Sequence, residues 1–207
     1  PNDEEGSIVV ETDHALDRAG TTEAMRNRRD RPIPIGVSAH HVHLSQEHVE
    51  ARFGPGRTLT VRSPLTQPIQ FACEETVDLV GPKGRVERVR VLGPVRRRTQ
   101  VEISRTEEYR LGVDAPVRQS GDVRGTPGLT IEGPAGSVHL DEGVICAMRH
   151  IHMTPEDALR YGLRDKSTVR VRIAGDREVI FGDVRVRVDP DYRRAMHLDT
   201  DEGNAAN

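Results

Sequence analysis

The sequence predicts a mainly β fold of many short strands, and three observations predict it. The first is a period of two. Val169, Val171 and Ile173 alternate with Arg170 and Arg172, and Val184, Val186 and Val188 alternate with Arg185 and Arg187. Val86, Arg88 and Arg90 likewise oppose Glu87, Val89 and Val91. Alternation of β-branched and charged residues marks strands with one buried and one wet face. The second observation is frequent reversal, at Gly81-Pro82-Lys83-Gly84, Gly93-Pro94, Gly133-Pro134-Ala135-Gly136 and Gly175-Asp176. Each supplies the backbone freedom or fixed φ of a tight turn. The third is scarcity of helix signals. Short strands with frequent turns point to barrels or a sandwich.

Taken in order, residues 1–31 read as a flexible or amphipathic N-terminal extension. An acidic start leads to a short amphipathic stretch over Ile8–Leu16, then to a charge run holding Arg26, Arg28, Arg29 and Arg31. Such polarity favours a solvated tail. The ordered body is expected from Pro32. Ser45 opens a helix that stops near Gly54. Thr154-Pro155-Glu156-Asp157 opens another that ends near Gly162, with a hydroxyl cap, proline at the first helical position and acids where unpaired N–H groups collect. Gln100–Ser104 alternates, with Val101 and Ile103 opposite Glu102. Met196 and Leu198 alternate through the acidic C-terminal segment, which reads as a packed strand.

The 207 residues suit one large or two small domains. A net charge of −3 argues against a general nucleic-acid binder. No apolar run approaches the ~20 residues of a membrane span. With no Trp, three Phe and three Tyr, the core must be Val, Ile, Leu and Ala. Two cysteines cannot make a disulfide framework, so a reducing, cytoplasmic setting is expected. Cys73 and Cys146 sit among small and aliphatic neighbours and read as core.

The two helix starts belong to a repeat. His41-Val42-His43-Leu44-Ser45-Gln46-Glu47 matches His150-Ile151-His152-Met153-Thr154-Pro155-Glu156 position by position. Each copy has two histidines around a β-branched residue, an aliphatic, a hydroxyl cap and a glutamate. On a strand, His-x-His projects both rings from one face, about 6–7 Å apart. Two such pairs in a chain of nine histidines favour metal over hydrogen-bonded rings, and imidazole favours zinc or a neighbouring transition metal over magnesium or calcium. Enzyme metal sites commonly use three protein ligands. His197 and Glu102 are the candidates to complete each set. Upstream of Glu102, Arg96-Arg97-Arg98 is a candidate anion site, because guanidinium groups bind phosphate through paired donors.

These residues carry a resemblance. Val37–Ser45, Gln70–Thr76, Gln100–Ser104, Pro116–Gly121, Arg149–Met153 and His197–Ala205 resemble, in order, the PduL-type phosphotransacylases, the phosphate propanoyltransferases of bacterial microcompartments. The resemblance covers the chain from about residue 33 to its end. It implies two β-barrel domains with short capping helices and an active site with two zinc ions between them. It implies His41, His43 and Glu102 as ligands of one zinc, and His150, His152 and His197 as ligands of the other. It implies Arg96 as the phosphate-binding arginine, with Asn204 near the same pocket. Arg118, beside Ser120-Gly121, is a candidate contact for coenzyme A. The implied reaction is reversible transfer of a short acyl group, propanoyl or acetyl, between coenzyme A and orthophosphate. One departure is visible: the family usually carries arginine before the first His-x-His, where His40 stands, whereas Arg149 precedes the second.

The resemblance also implies a homodimer, no membrane or nucleic-acid partner, and docking to microcompartment shell or cargo proteins through the N-terminal extension. The expected division is residues 1–31, then 32–40 with 150–207 as one discontinuous barrel, then 41–149 as the other. Two rival readings remain. His41-x-His43-x-x-x-Glu47 fits the first metal motif of a cupin, a single-metal β-barrel enzyme. A zinc-stabilised assembly module without catalysis is the other.

Overall fold

A computed structural model describes residues 8–11, as backbone, and 32–206. The rest of the expected N-terminal extension, 1–7 and 12–31, lies outside the described residues. In chain order the first elements are β1 (Ile8–Glu11), β2 (Ile35–Ser38), β3 (His41–His43), α1 (Gln46–Phe53), β4 (Val61–Pro64), β5 (Phe71–Val80), β6 (Arg85–Gly93), β7 (Gln100–Ile103), α2 (Arg105–Leu111) and β8 (Val117–Arg118). Then come β9 (Leu129–Gly133), β10 (Gly136–Leu140), β11 (Val144–Ala147), β12 (His150–Met153), α3 (Pro155–Tyr161), β13 (Thr168–Ile173), β14 (Val179–Val188), β15 (Ala195–Asp199) and α4 (Thr200–Ala206). Among the described residues 43% are strand and 17% helix, so the fold is mainly β.

The chain forms two compact units. Among the described residues, one comprises 8–11, 32–37, 149–198 and 202–206; the other comprises 38–148 and 199–201. The first holds a six-stranded sheet in the order β1-β13-β14-β12-β15-β2. The second holds a nine-stranded sheet, β10-β9-β5-β6-β3-β7-β11-β8, with β4 on β5. These ladders run as open paths and do not by themselves close either sheet into a barrel. β1 pairs antiparallel with β13, so four residues of the expected extension join a sheet edge.

Each sheet buries one face in an aliphatic core. Val42, Leu44, Leu79, Val89, Val91, Val101 and Ile131 meet in the larger unit. Ile151, Met153, Val169, Val171, Val184, Val186 and Met196 meet in the smaller one. Fully burying each such side chain stabilises the fold by roughly 1.5–3 kcal/mol. The alternation slips in β6 and again in β14. Arg88 takes φ 58° and Asp183 takes φ 52°, both left-handed. The pairing register shifts beside each, between Val77 and Leu79 opposite β6 and between Val169 and Val171 opposite β14. The extra residue lets both Val86 and Val89, and both Phe181 and Val184, reach the core.

Helix ends follow the expected caps. Ser45 Oγ accepts from the His48 N–H at 3.3 Å, and the helix stops at Gly54. Thr154 Oγ1 accepts from the Asp157 N–H at 3.1 Å, Pro155 opens the helix and left-handed Gly162 ends it. α2 and α4 were not expected. α2 starts with a capping box in which Glu107 Oε2 accepts the Ser104 N–H at 2.8 Å. The C-terminal segment expected as strand is strand only to Asp199, then α4.

Candidate metal centre

The larger unit brings three sequence-distant donors to one point. β3 pairs antiparallel with β7, with His41 opposite Glu102 and His43 opposite Gln100. Alternate residues share a face, so both imidazoles and the carboxylate project together. One ligand atom from each of His41, His43 and Glu102 lies within 4.8 Å of the others. His41 Nε2 is 3.4 Å from Glu102 Oε2 and His43 Nε2 is 3.8 Å from Glu102 Oε1. Donors about 2.0–2.1 Å from a tetrahedral zinc would stand about 3.3 Å apart, close to these separations. All three residues are buried.

The protonation states of His43 and Glu102 suit a cation, and a metal at this site would displace the proton that Glu102 favours on His41. His41 Nδ1 donates to the Ala39 carbonyl at 2.9 Å, which turns Nε2 towards Glu102. Burial disfavours charge on His41, yet the Glu102 carboxylate outweighs it and raises the pKa. Burial, with the positive His41 and Arg96 nearby, lowers His43 to about 3, so this ring is neutral at ordinary pH. Burial opposes ionisation of Glu102, but His41, His43 and the Ser120 hydroxyl overcome it and hold the carboxyl well below the usual range. Neutral imidazole and ionised carboxylate are the metal-binding forms.

The smaller unit repeats the layout. β12 pairs antiparallel with β15, with His150 opposite His197 and His152 opposite Ala195. The ring centroids of His150, His152 and His197 are 4.6–5.3 Å apart. Burial, followed by the neighbouring His150, His197 and Arg187, lowers His152 to about 2. His152 Nδ1 is buried without a hydrogen-bond partner, a cost that a ligated cation would remove. Tyr192 packs against the His152 ring at 4.3 Å. The His41, His43 and Glu102 set therefore fits a zinc-like cation.

The duplication extends beyond the seven matching residues. β6 runs parallel beside β3 with Arg90 at His41, and β14 runs parallel beside β12 with Arg185 at His150. The left-handed bulge residue precedes each arginine by two, and Val89-Arg90-Val91 echoes Val184-Arg185-Val186. Five residues after Glu102 comes Glu107; five after His197 comes Glu202. Glu107 Oε1 accepts from His40 Nδ1 at 3.1 Å, and Glu202 Oε1 accepts from Arg149 Nη1. The residue before each His-x-His thus grips a carboxylate on the helix after the ligand strand. His40 makes this contact in the first copy, as Arg149 does in the second.

Arg96 is half-buried in the larger unit, and its Nη1 donates to Ser120 Oγ at 3.0 Å. Its charge reaches both His41 and His43. Arg97 and Arg98 are exposed, and Arg98 pairs with Glu142. Arg118 is exposed on β8, 3.4 Å from Asp122, and Asn204 is exposed on α4. Glu47, the third element of the cupin motif, stands in the first turn of α1, where it lines a surface cavity with His48, Arg98 and Glu142. The carboxylate beside the first histidine pair is Glu102, so the cupin reading loses its ligand set. Ser120 and Gln100 were not singled out in the sequence. Gln100 shares parity with Glu102 on β7, which was the available signal.

The chain is similar to known proteins over most of its length. The family model described as Phosphate propanoyltransferase matches residues 34–207. A phosphate propanoyltransferase of Thermotoga maritima is 56% identical over 180 residues, covering 86% of each chain. One from Shewanella putrefaciens is 50% identical over 195 residues, covering 94% of this chain and 92% of its own. One from Salmonella typhimurium is 48% identical over 195 residues with the same coverage.

Proposed function

The chain belongs to the phosphate propanoyltransferase family, and from that membership we propose that it moves a short acyl group reversibly between coenzyme A and orthophosphate with two bound zinc ions. The observation that carries the zinc assignment is the convergence of His41, His43 and Glu102 within 4.8 Å, beside Arg96. His41, His43 and Glu102 would hold one ion, and His150, His152 and His197 the other. Bound zinc supplies a Lewis acid for the thioester carbonyl and a soft partner for thiolate. Family membership also supports reading the two sheets as walls of two β-barrels, and the protein as a homodimer.

The chain's own residues do the rest. Arg96 presents paired N–H donors to phosphate and holds one oxygen near the thioester carbon, which contributes orientation. Ser120 fixes the guanidinium through its 3.0 Å hydrogen bond. The phosphate oxygen bonds to the acyl carbon, the C–S bond breaks, and coenzyme A leaves as thiolate. No protein nucleophile is needed. Cys73 is fully buried and burial, with Glu75, pushes its thiol up to about 12. Cys146 is buried as well. Exposed Arg118 and Asn204 are available to phosphate groups of coenzyme A and to substrate phosphate.

The test supplies propanoyl-CoA and phosphate to purified protein and follows thiol release. Release should depend on phosphate, stop on chelation and return with zinc. Arg96→Ala should raise the KM for phosphate about tenfold or more while zinc content holds, as expected for loss of a charge-assisted pair. His150→Ala should lower zinc content. Metal without turnover would favour the assembly module. Residues 1–31 are proposed to direct the protein to a microcompartment; a fluorescent fusion lacking them should lose its punctate location, and unchanged location would count against this.

A further inference from the structure

Glu102 has two oxygens but is expected to use one as a ligand, so something must hold the carboxylate's rotation. Gln100, two residues earlier on β7, is 2% exposed and points from the same strand face. Its Nε2 donates to Glu102 Oε1 at 2.5 Å and to Ser120 Oγ at 2.9 Å. Its Oε1 accepts the Gly121 N–H at 2.7 Å, which fixes which end of the amide faces Glu102. Ser120 Oγ in turn donates to Glu102 Oε1 at 2.8 Å. One carboxylate oxygen therefore receives two hydrogen bonds, while Oε2 faces His41 Nε2. The donor chain is complete: Arg96 to Ser120, Ser120 to Glu102, Gln100 to both.

The second cluster supplies an internal contrast. The position that matches Gln100 there, opposite the second histidine, is Ala195, and the third donor is the imidazole of His197. An imidazole has no second equivalent atom to turn away. The carboxamide occurs only where the third donor is a carboxylate.

Resting on the zinc reading above, we infer that Gln100 is a positioning residue that ties back Glu102 Oε1 and leaves Oε2 as the single carboxylate atom aimed at the metal. Being neutral, it donates without adding a competing charge. Removing such a partner typically costs about 10- to 100-fold in metal affinity.

Gln100→Met keeps the side-chain volume and deletes every hydrogen bond. Full-length protein freed of metal is titrated with zinc against a chromophoric chelator, and with cobalt(II) while the visible d–d bands are recorded. Wild type, Gln100→Met and His41→Ala are compared at matched circular dichroism. The expected result is zinc affinity at one of two sites lowered about 10- to 100-fold in Gln100→Met, with altered cobalt bands as the carboxylate turns to chelate. The other site keeps its affinity, which a misfolded chain would not show. If His41→Ala loses that ion while Gln100→Met matches wild type within twofold and keeps its spectrum, the positioning role is overturned and the zinc reading stands. If His41→Ala binds as much zinc as wild type, the zinc reading itself fails. Should Gln100→Met not fold, Ser120→Ala removes the other donor to the same oxygen and must lower affinity in the same way.

Discussion

Glu107 shows how much one carboxylate can tie together. It accepts from the Ser104 backbone and hydroxyl just after β7, and from His40 just before β3. The two strands that carry His41, His43 and Glu102 are thereby clamped at one end. The His40 hydrogen bond, then those from Ser104, lower the Glu107 carboxyl from 4.5 to about 2 against the opposing effect of burial. A depressed folded-state pKa adds stability above about 4.5, and that stability is lost as pH falls towards 2. Glu107→Gln should therefore be less stable than wild type at neutral pH, by about 1–2 kcal/mol. The gap should narrow on acidification across that window, measured by urea unfolding at each pH. At this scale the donors themselves were legible in the sequence, because histidine spacing and parity on a strand are local facts. The clamp was not, since it joins residues 67 apart.

The elements divide by how much side-chain pattern each carries. Strands such as β13 and β14 alternate visibly, and α1 and α3 announce themselves by Ser45 and Thr154. α2 buries only Leu111, so it has no apolar stripe, and its one legible mark was the Ser104-x-x-Glu107 spacing. α4 carries Gly203 in its middle and fully buries none of its residues, so its sequence reads as coil. The bulges at Arg88 and Asp183 were invisible for a different reason. They follow from fitting one long strand to its partner, and neither residue type favours the left-handed conformation enough to signal it. The open end of the β9–β10 hairpin, away from its turn, depends on a close approach instead. A Cβ at Gly128 would stand 1.7 Å from the Leu140 carbonyl oxygen. Gly128→Ala must separate these segments and should cost about 2–3 kcal/mol, read as a lower Tm.

At the scale of the whole chain, the organising fact is a duplicated device. Each unit sets a His-x-His strand between a parallel strand with a bulge and an antiparallel strand with the third donor. The seven-residue echo hinted at this, but the rest of the match lies in register rather than residue identity. Pairing also shows what the N-terminal stretch does in part: β1 covers the outer edge of β13. Removing residues 1–31 should leave acyl transfer intact while exposing that edge. Light scattering on warming should then report aggregation some degrees below wild type, with unchanged KM values as the control.

The duplicated device is unequal in one atom type, and this has an electrical consequence. His41, His43 and Glu102 offer a donor set of formal charge −1, whereas His150, His152 and His197 offer none. A divalent ion would retain one positive charge in the first nest and two in the second. Halves built to one plan would thus present electrophiles of different strength, the all-imidazole one drawing an anionic oxygen more firmly.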